Sequence, residues 1–446
     1  MSSPEDNVFY TCDELTPDLC DLHIEEGHVL IMGISVSYWI YTSNENNDDP
    51  SLDDDKLPII VLHGGPSFTH NYMLPLKQQA CRGRSVIFYD QAGCGKSPGP
   101  KDVPSHLLDP YYYATVELPT LVEHLGFANS SSSSGGGFHL LGNSWGTMLA
   151  QMYALDRMDR QNDQNMASMV LSGPFSDSQT YIQAQWDPVD GSIGSLPTFL
   201  QQRIRFYDES RDFNSSEYQA INAALSSKFT LRTFPPPDCW MDSLDQANTA
   251  IYSGMQGPSE FSMSGTLARV NLTGRLAELQ TTPVLLTHGK YDTMRPVIVR
   301  TMQQALKSPT VERLYFTKSG HVSMIDQPKE MNDGIADFFD RVEANRTAAA
   351  SIMSREGDDA RRGFTTTTAT TTTTTTANQW MSVTGMLQER SQHAVGVDEE
   401  IPATTMAVGN NISMILSVVL ALGIGYVLGS IHARHRMQRK YDPISN

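Results

Sequence analysis

The chain has 446 residues and a formal charge of −18, from 32 Lys and Arg against 50 Asp and Glu. With 18% charged and 39% apolar residues it is neither disordered throughout nor fibrous, and without a basic face it is no nucleic-acid binder. Cys12, Cys20, Cys81, Cys94 and Cys239 are odd in number and irregularly spaced, a pattern that predicts neither a disulfide framework nor a zinc site.

Residues 1–55 hold fourteen Asp or Glu and no Lys or Arg, which is neither the basic start of a secretory signal nor an Arg-rich transit peptide. Residues 1–27 read as an acidic N-terminal segment. An antiparallel hairpin follows at 28–32 and 35–41. Six short apolar runs bounded by turn signals then predict strands buried on both faces: 57–65, 85–93, 138–146, 168–173, 283–289 and 311–317. Helical patterns at 111–124, 147–155 and 296–306 separate several of them, and this alternation predicts an α/β fold with a mostly parallel sheet covered by helices. The alternation breaks from about 175 to 280, a polar, helix-like insertion read as a cap. The core therefore comes in two parts, 28–174 and 281–347. The run SSSSSGGG at 130–137 reads as a surface loop.

Beyond 347 the composition changes. Residues 348–411, with eleven Thr in the twelve positions 365–376, read as a low-complexity stalk. Residues 412–431 are free of charge and as a helix rise roughly 30 Å, so they predict a single transmembrane anchor. A basic tail, 432–446, follows. The tail favours a cytoplasmic C-terminus, whereas the lack of a signal sequence favours a cytosolic large domain, so the side of the membrane stays open. Asn129, Asn214, Asn271, Asn345 and Asn411 match the N-x-[ST] glycosylation pattern.

Three places carry chemistry. Gly142-Asn143-Ser144-Trp145-Gly146 joins a predicted strand to a predicted helix, the setting of a nucleophile elbow, with Ser144 as the nucleophile. Asp292 follows the strand at 283–289 and His321 the strand at 311–317, so Ser144, Asp292 and His321 appear in the order of a hydrolase triad. His63-Gly64-Gly65-Pro66 ends another strand, where the N–H of Gly65 with that of Trp145 would form an oxyanion hole. His63 is read as shaping that loop.

These residues resemble a known family. HGGP with His70-Asn71-Tyr72, then YDQAGCGKSPGP at 89–100, then GNSWGTMLAQMYAL at 142–155, are similar to the proline iminopeptidases and related tricorn-interacting aminopeptidases of the α/β-hydrolase fold. The resemblance spans roughly 20–345 and includes a cap segment at 251–266. It implies a serine aminopeptidase acting on peptides with a free N-terminus, proline preferred, with Glu260 in the cap holding the substrate α-amine. It implies no metal and no cofactor. Two positions depart from the family pattern: Thr293 stands where relatives carry a second acid, and Ser67 where they carry glycine. An amino-acid amidase or an ester or lipid hydrolase of the same fold is the alternative reading; a catalytically dead scaffold is disfavoured because every triad position is filled.

Overall fold

The computed structural model describes residues 11–16, 19–44, 56–127, 136–161 and 165–363. The predicted strands are all present. They are β1 (Leu22–Ile31), β2 (Ile34–Ser43), β3 (Ile59–Leu62), β4 (Val86–Tyr89), β5 (Phe138–Asn143), β6 (Met166–Ser172), β7 (Val284–Gly289) and β8 (Val311–Phe316). They form one sheet in the order β1-β2-β4-β3-β5-β6-β7-β8. The β1–β2 hairpin and the β2–β4 pair are antiparallel, and the others are parallel. Every residue of β3, β4, β5 and β7 is buried, as expected of apolar runs with helices on both faces. β8 differs from the expectation. It pairs only with β7, and as an edge strand it is half-exposed, with Glu312 bound to Arg341.

The helices also follow the sequence, with informative differences. The pattern at 111–124 becomes α1 (Pro110–Tyr112) and α2 (Leu118–His124), joined by a π turn at Tyr113–Glu117. Pro119 explains the widened turn: it offers no N–H and its ring crowds the carbonyl four residues back. In α3 (Trp145–Asp159), every residue from Trp145 to Leu155 is buried, because this helix packs in the middle of one face of the sheet. The insertion contains α4 (Ser178–Gln185), α5 (Thr198–Ser210), α6 (Ser216–Phe229), α7 (Asp238–Asp245) and α8 (Thr249–Met255). Asp177, Ser215 and Asn248 cap α4, α6 and α8. A separate small cluster built on Ile193, Ile204, Ile221, Leu225, Phe229 and Phe261 gives the insertion its own core.

α9 (Pro296–Ala305) joins α2 and α3 in the core on one face of the sheet. On the other face, α10 (Ser323–Asp326) and α11 (Pro328–Gly363) pack with the 3₁₀ segment His70–Arg82. One compact unit closes at Arg346. α11 continues to Gly363, so helix occupies the first part of the span read as stalk. The 130–137 loop lies mostly outside the described residues, and the Thr tract, the 412–431 span and the basic tail lie wholly outside them. Among the described residues no helix is long and apolar enough to cross a membrane.

The cysteines correct the sequence reading. Cys12 is bonded to Cys239 and Cys20 to Cys81, closing separations of 227 and 61 residues, while Cys94 is free and buried. No spacing rule links partners so far apart; folding alone brings them together. In the chain-entropy account each bond stabilises by about 2–4 kcal/mol. The first ties the N-terminal segment to α7, and Cys12 N–H also donates to Asp238 Oδ1 at 3.0 Å.

A buried ion pair joins α11 to the sheet. The Arg84 guanidinium is wholly buried and binds Glu343 and, at 2.6 Å, Asp340. Burial opposes charge on Glu343, but His139 and Arg84 outweigh it and hold the carboxyl at about 2, below its ordinary 4.5. A carboxylate held below its unfolded value stabilises the fold above pH 4.5 and loses that contribution as pH falls towards 2. At pH 7 the shift corresponds to about 3 kcal/mol. Glu343→Gln is therefore expected to lower the unfolding free energy by about that amount at pH 7, with the gap to wild type closing as the pH falls towards 2; denaturant titrations across this range would test it. Thiol titration of the denatured protein should count one thiol before reduction and five after.

Candidate active site

The carboxyl ends of the parallel strands carry the residues singled out in the sequence. Ser144 sits between β5 and α3 at φ 57° and ψ −122°, a backbone that a side-chain-bearing residue adopts only under constraint. The two elbow glycines supply the constraint. A Cβ on Gly142 would lie 2.2 Å from the Gly146 carbonyl oxygen, and one on Gly146 would lie 2.1 Å from that of Leu62 in β3. The turn can therefore close only with bare glycine at both ends. Trp145 opens α3, and its N–H has no intrahelical acceptor.

The loop after β3 is built with equal economy. Gly65 has φ 119°, and a Cβ there would meet the Phe68 nitrogen at 2.6 Å. Gly64 N–H donates to the Tyr72 hydroxyl at 2.7 Å, and that hydroxyl donates to Asn143 Oδ1 at 2.8 Å, next to Ser144. His63 has the structural role expected of it. Its Nδ1 donates to the Gly64 carbonyl and its Nε2 accepts from Gln91 N–H; burial lowers its pKa to about 4 and keeps it neutral. Gln91 also donates to the His63 carbonyl and accepts from the Trp145 indole at 2.8 Å. It thus ties together the two loops that carry Gly65 and Trp145. Its neighbour Asp90 accepts from His70 and from Lys96 N–H, closing the YDQAGCGKS turn.

His321 and Asp292 meet behind the cavity. Asp292 Oδ1 lies 2.7 Å from His321 Nδ1 and accepts a second bond, from Met294 N–H at 2.8 Å. Both side chains are almost wholly buried. Segments far apart in the chain hold the histidine: its N–H reaches the carbonyls of Phe229 and Thr230, at the end of α6. The Asp326 carboxylate accepts from Gly320 N–H on one side and from Arg232 and Thr233 N–H on the other. Burial alone would lower the His321 pKa, but the charges of Asp292 and Glu260 together outweigh it and raise the imidazole to about 9. Its Nε2 is buried and makes no hydrogen bond among the described residues.

Glu260 comes from the insertion and faces that nitrogen, with Oε1 at 3.7 Å. Thr293 donates to Oε1 at 2.8 Å and Thr230 to Oε2 at 2.6 Å. The Tyr181 hydroxyl donates to the Glu260 carbonyl. Thr293 therefore adds no second acid but orients the one present. Ser67, with φ 71°, turns its hydroxyl to the Asn248 carbonyl at 2.8 Å and does not line the cavity. Gly65, Ser144, Trp145, His321 and Glu260 line one cavity, whose apolar walls include Phe68, Tyr72, Phe175, Trp240 and Tyr252. Asp292 lies behind His321.

Several of these contributors carry no clear sequence signal. Tyr72 and Gln91 lie inside blocks that resemble the family, but only the fold shows what they bind. Thr230 and Trp240 sit in the irregular insertion, where no strand or helix periodicity points to the site. Chemically, the cavity offers a hydroxyl at a constrained turn, an imidazole backed by a carboxylate, N–H groups at a glycine loop and a helix start, and a single anion above them. No residue set for a cofactor is needed for this chemistry.

The α/β hydrolase fold family matches residues 58–328. Proline iminopeptidase of Saccharolobus solfataricus is 29% identical over 324 residues, 72% of this chain and 94% of that protein. Proline iminopeptidase of Heyndrickxia coagulans is 30% identical over 319 residues, 71% of this chain and 99% of that protein. The crystal structure of proline iminopeptidase from Mycobacterium smegmatis superimposes with a TM-score of 0.61 at 26% identity, covering 72% of this chain and all of that one. The match takes in both parts of the core and the insertion between them, and the fold agrees with it: the chain belongs to the proline iminopeptidase family of α/β-hydrolase enzymes.

Proposed function

We propose that this enzyme is a serine aminopeptidase that releases the N-terminal residue of peptides through an acyl-enzyme, with proline the favoured residue. Ser144 attacks the first peptide carbonyl. His321 takes the Ser144 proton and returns it to the leaving amine, and Asp292 fixes the imidazole with Nε2 towards the cavity. The N–H groups of Gly65 and Trp145 stabilise the oxyanion, a contribution of roughly 2.7–4 kcal/mol per donor. Glu260 binds the substrate α-ammonium in a charge-assisted contact. The observation that carries this reading is the position of Glu260. A carboxylate held 3.7 Å from the imidazole, in the same cavity as Ser144, would set a substrate cation next to the residue whose carbonyl is attacked. Longer chains on the amino side would meet the aromatic wall and bring no cation to Glu260. The names of the relatives support proline; the apolar, aromatic lining suits a compact apolar side chain.

The second reading, an amidase or ester hydrolase of the same fold, does without the α-amine. Prolyl and alanyl arylamides, their N-acetylated forms and a short-chain acyl ester separate the two. The full-length enzyme should cleave the free-amine arylamides and spare the acetylated ones. Ser144→Ala should lose at least about 10³-fold in kcat. Glu260→Gln should lose about 10–100-fold in kcat/KM on the free-amine substrates, the scale of one hydrogen bond to a charged group. Equal rates on acetylated arylamides would overturn the aminopeptidase reading in favour of the second.

We further propose that residues 412–431 anchor the enzyme in a membrane with the hydrolase unit on the oxidising side. The two disulfides support that side, since cytosolic thiols stay reduced. Asn214, Asn271 and Asn345 are exposed, as glycan acceptors must be. Carbonate-resistant membrane association, with labelling of intact cells or sealed vesicles by an impermeant reagent only from the non-cytosolic face, is the expected result.

A further inference from the structure

The base and the proposed substrate anchor are also each other's neighbours, and that contact has a consequence for the free enzyme. Asp292 holds Nδ1 of His321 from behind, and Glu260 faces Nε2 from the insertion. Among the described residues no other charged group faces this nitrogen: Arg295 donates to the Asp292 carbonyl, Asp326 binds the backbone at Gly320, and Tyr72, Tyr181 and Tyr252 line the cavity as neutral hydroxyls. A buried imidazole between two carboxylates is stabilised as the imidazolium, and the raised His321 pKa agrees with the geometry. An imidazolium cannot accept the Ser144 proton. The Thr230 and Thr293 hydroxyls both donate to the Glu260 carboxylate, so the arrangement is built rather than a chance rotamer.

We propose that Glu260 latches the free enzyme in a resting state by pairing with protonated His321, and that the α-ammonium of an arriving substrate releases the latch by taking the carboxylate for itself. This rests on the aminopeptidase reading and deepens it. The proton balance is simple. The ammonium enters charged and stays charged, Glu260 stays an anion, and the His321 Nε2 proton leaves to bulk water. Neutral Nε2 then receives the Ser144 Oγ proton as Oγ attacks. A free N-terminus would thus be needed to switch on the base as well as to bind, and N-blocked compounds would meet an enzyme that is both unattractive to them and unready.

The test reads the base through Ser144 with a reagent that has no amine. The rate of labelling of the full-length enzyme by an uncharged fluorophosphonate should rise with pH along an acid limb near 9. In Glu260→Gln that limb should fall by about 1 pH unit or more, so that labelling at pH 7 becomes about tenfold faster than in wild type. Glu260→Asp, which keeps the charge, should stay near the wild-type limb. A limb that does not move in Glu260→Gln overturns the latch, whatever the substrate. In the Ser144→Ala enzyme, prolinamide binding at pH 7 should release protons to an indicator dye in proportion to occupancy, and N-acetylprolinamide should release none. Prolinamide binding without proton release also overturns the latch. Failure of prolinamide to bind, with the limb shifted as expected, overturns the aminopeptidase reading instead and leaves Glu260 as a brake on a different hydrolase.

Discussion

The active centre depends on keeping one imidazole buried between two carboxylates. His321 loses hydration by burial, which by itself disfavours charge, and regains more than it lost from Asp292 at 2.7 Å and Glu260 at 3.7 Å. Each carboxylate has hydrogen-bond donors of its own. Asp292 has Met294 N–H, and Glu260 has two threonine hydroxyls. The histidine in turn is held by the end of α6 and by the Asp326 bridge, so the insertion and the core are joined at the chemistry itself. A rearrangement of the insertion would therefore be felt first at the base.

The same economy appears on the electrophilic side. Three loops meet there, after β3, β4 and β5, and each is fixed to the next by buried side chains. Tyr72 joins Gly64 to Asn143, while Gln91 joins His63 to the Trp145 indole. These bonds fix the three loops relative to one another, which is what the oxyanion role proposed for Gly65 and Trp145 requires. The glycines supply what side chains cannot, the close approach of the elbow to β3 and the positive φ at Gly65.

Much of this was legible in the sequence because parallel strands buried on both faces read as continuous apolar runs. Once the runs at 57–65, 138–146, 283–289 and 311–317 were placed, chemistry at their carboxyl ends followed from topology. β8 departs from the doubly buried pattern because the sheet order makes it an edge strand, where Glu312 and Arg313 of VERLYF can reach solvent. The disulfides were missed for a different reason. Cys12 and Cys239 are joined across 227 residues, and nothing local marks either as a partner of the other. Thr293 read as a lost acid, whereas its hydroxyl serves the acid that remains.

The sequence by itself determined the order and identity of the elements: where the chain alternates strand and helix, where the elbow glycines force a sharp turn, and which Ser, Asp and His follow strands. Those are local matters, governed by periodicity and by sterics within a few residues. Tertiary structure alone decided which cysteines bond, how Tyr72 and Gln91 brace the loops, and that Glu260, from a region without periodicity, points at Nε2 of the base. Most such contacts join residues tens to hundreds of positions apart, and the electrostatics of a buried charge depend on every group folded against it rather than on its neighbours in the chain.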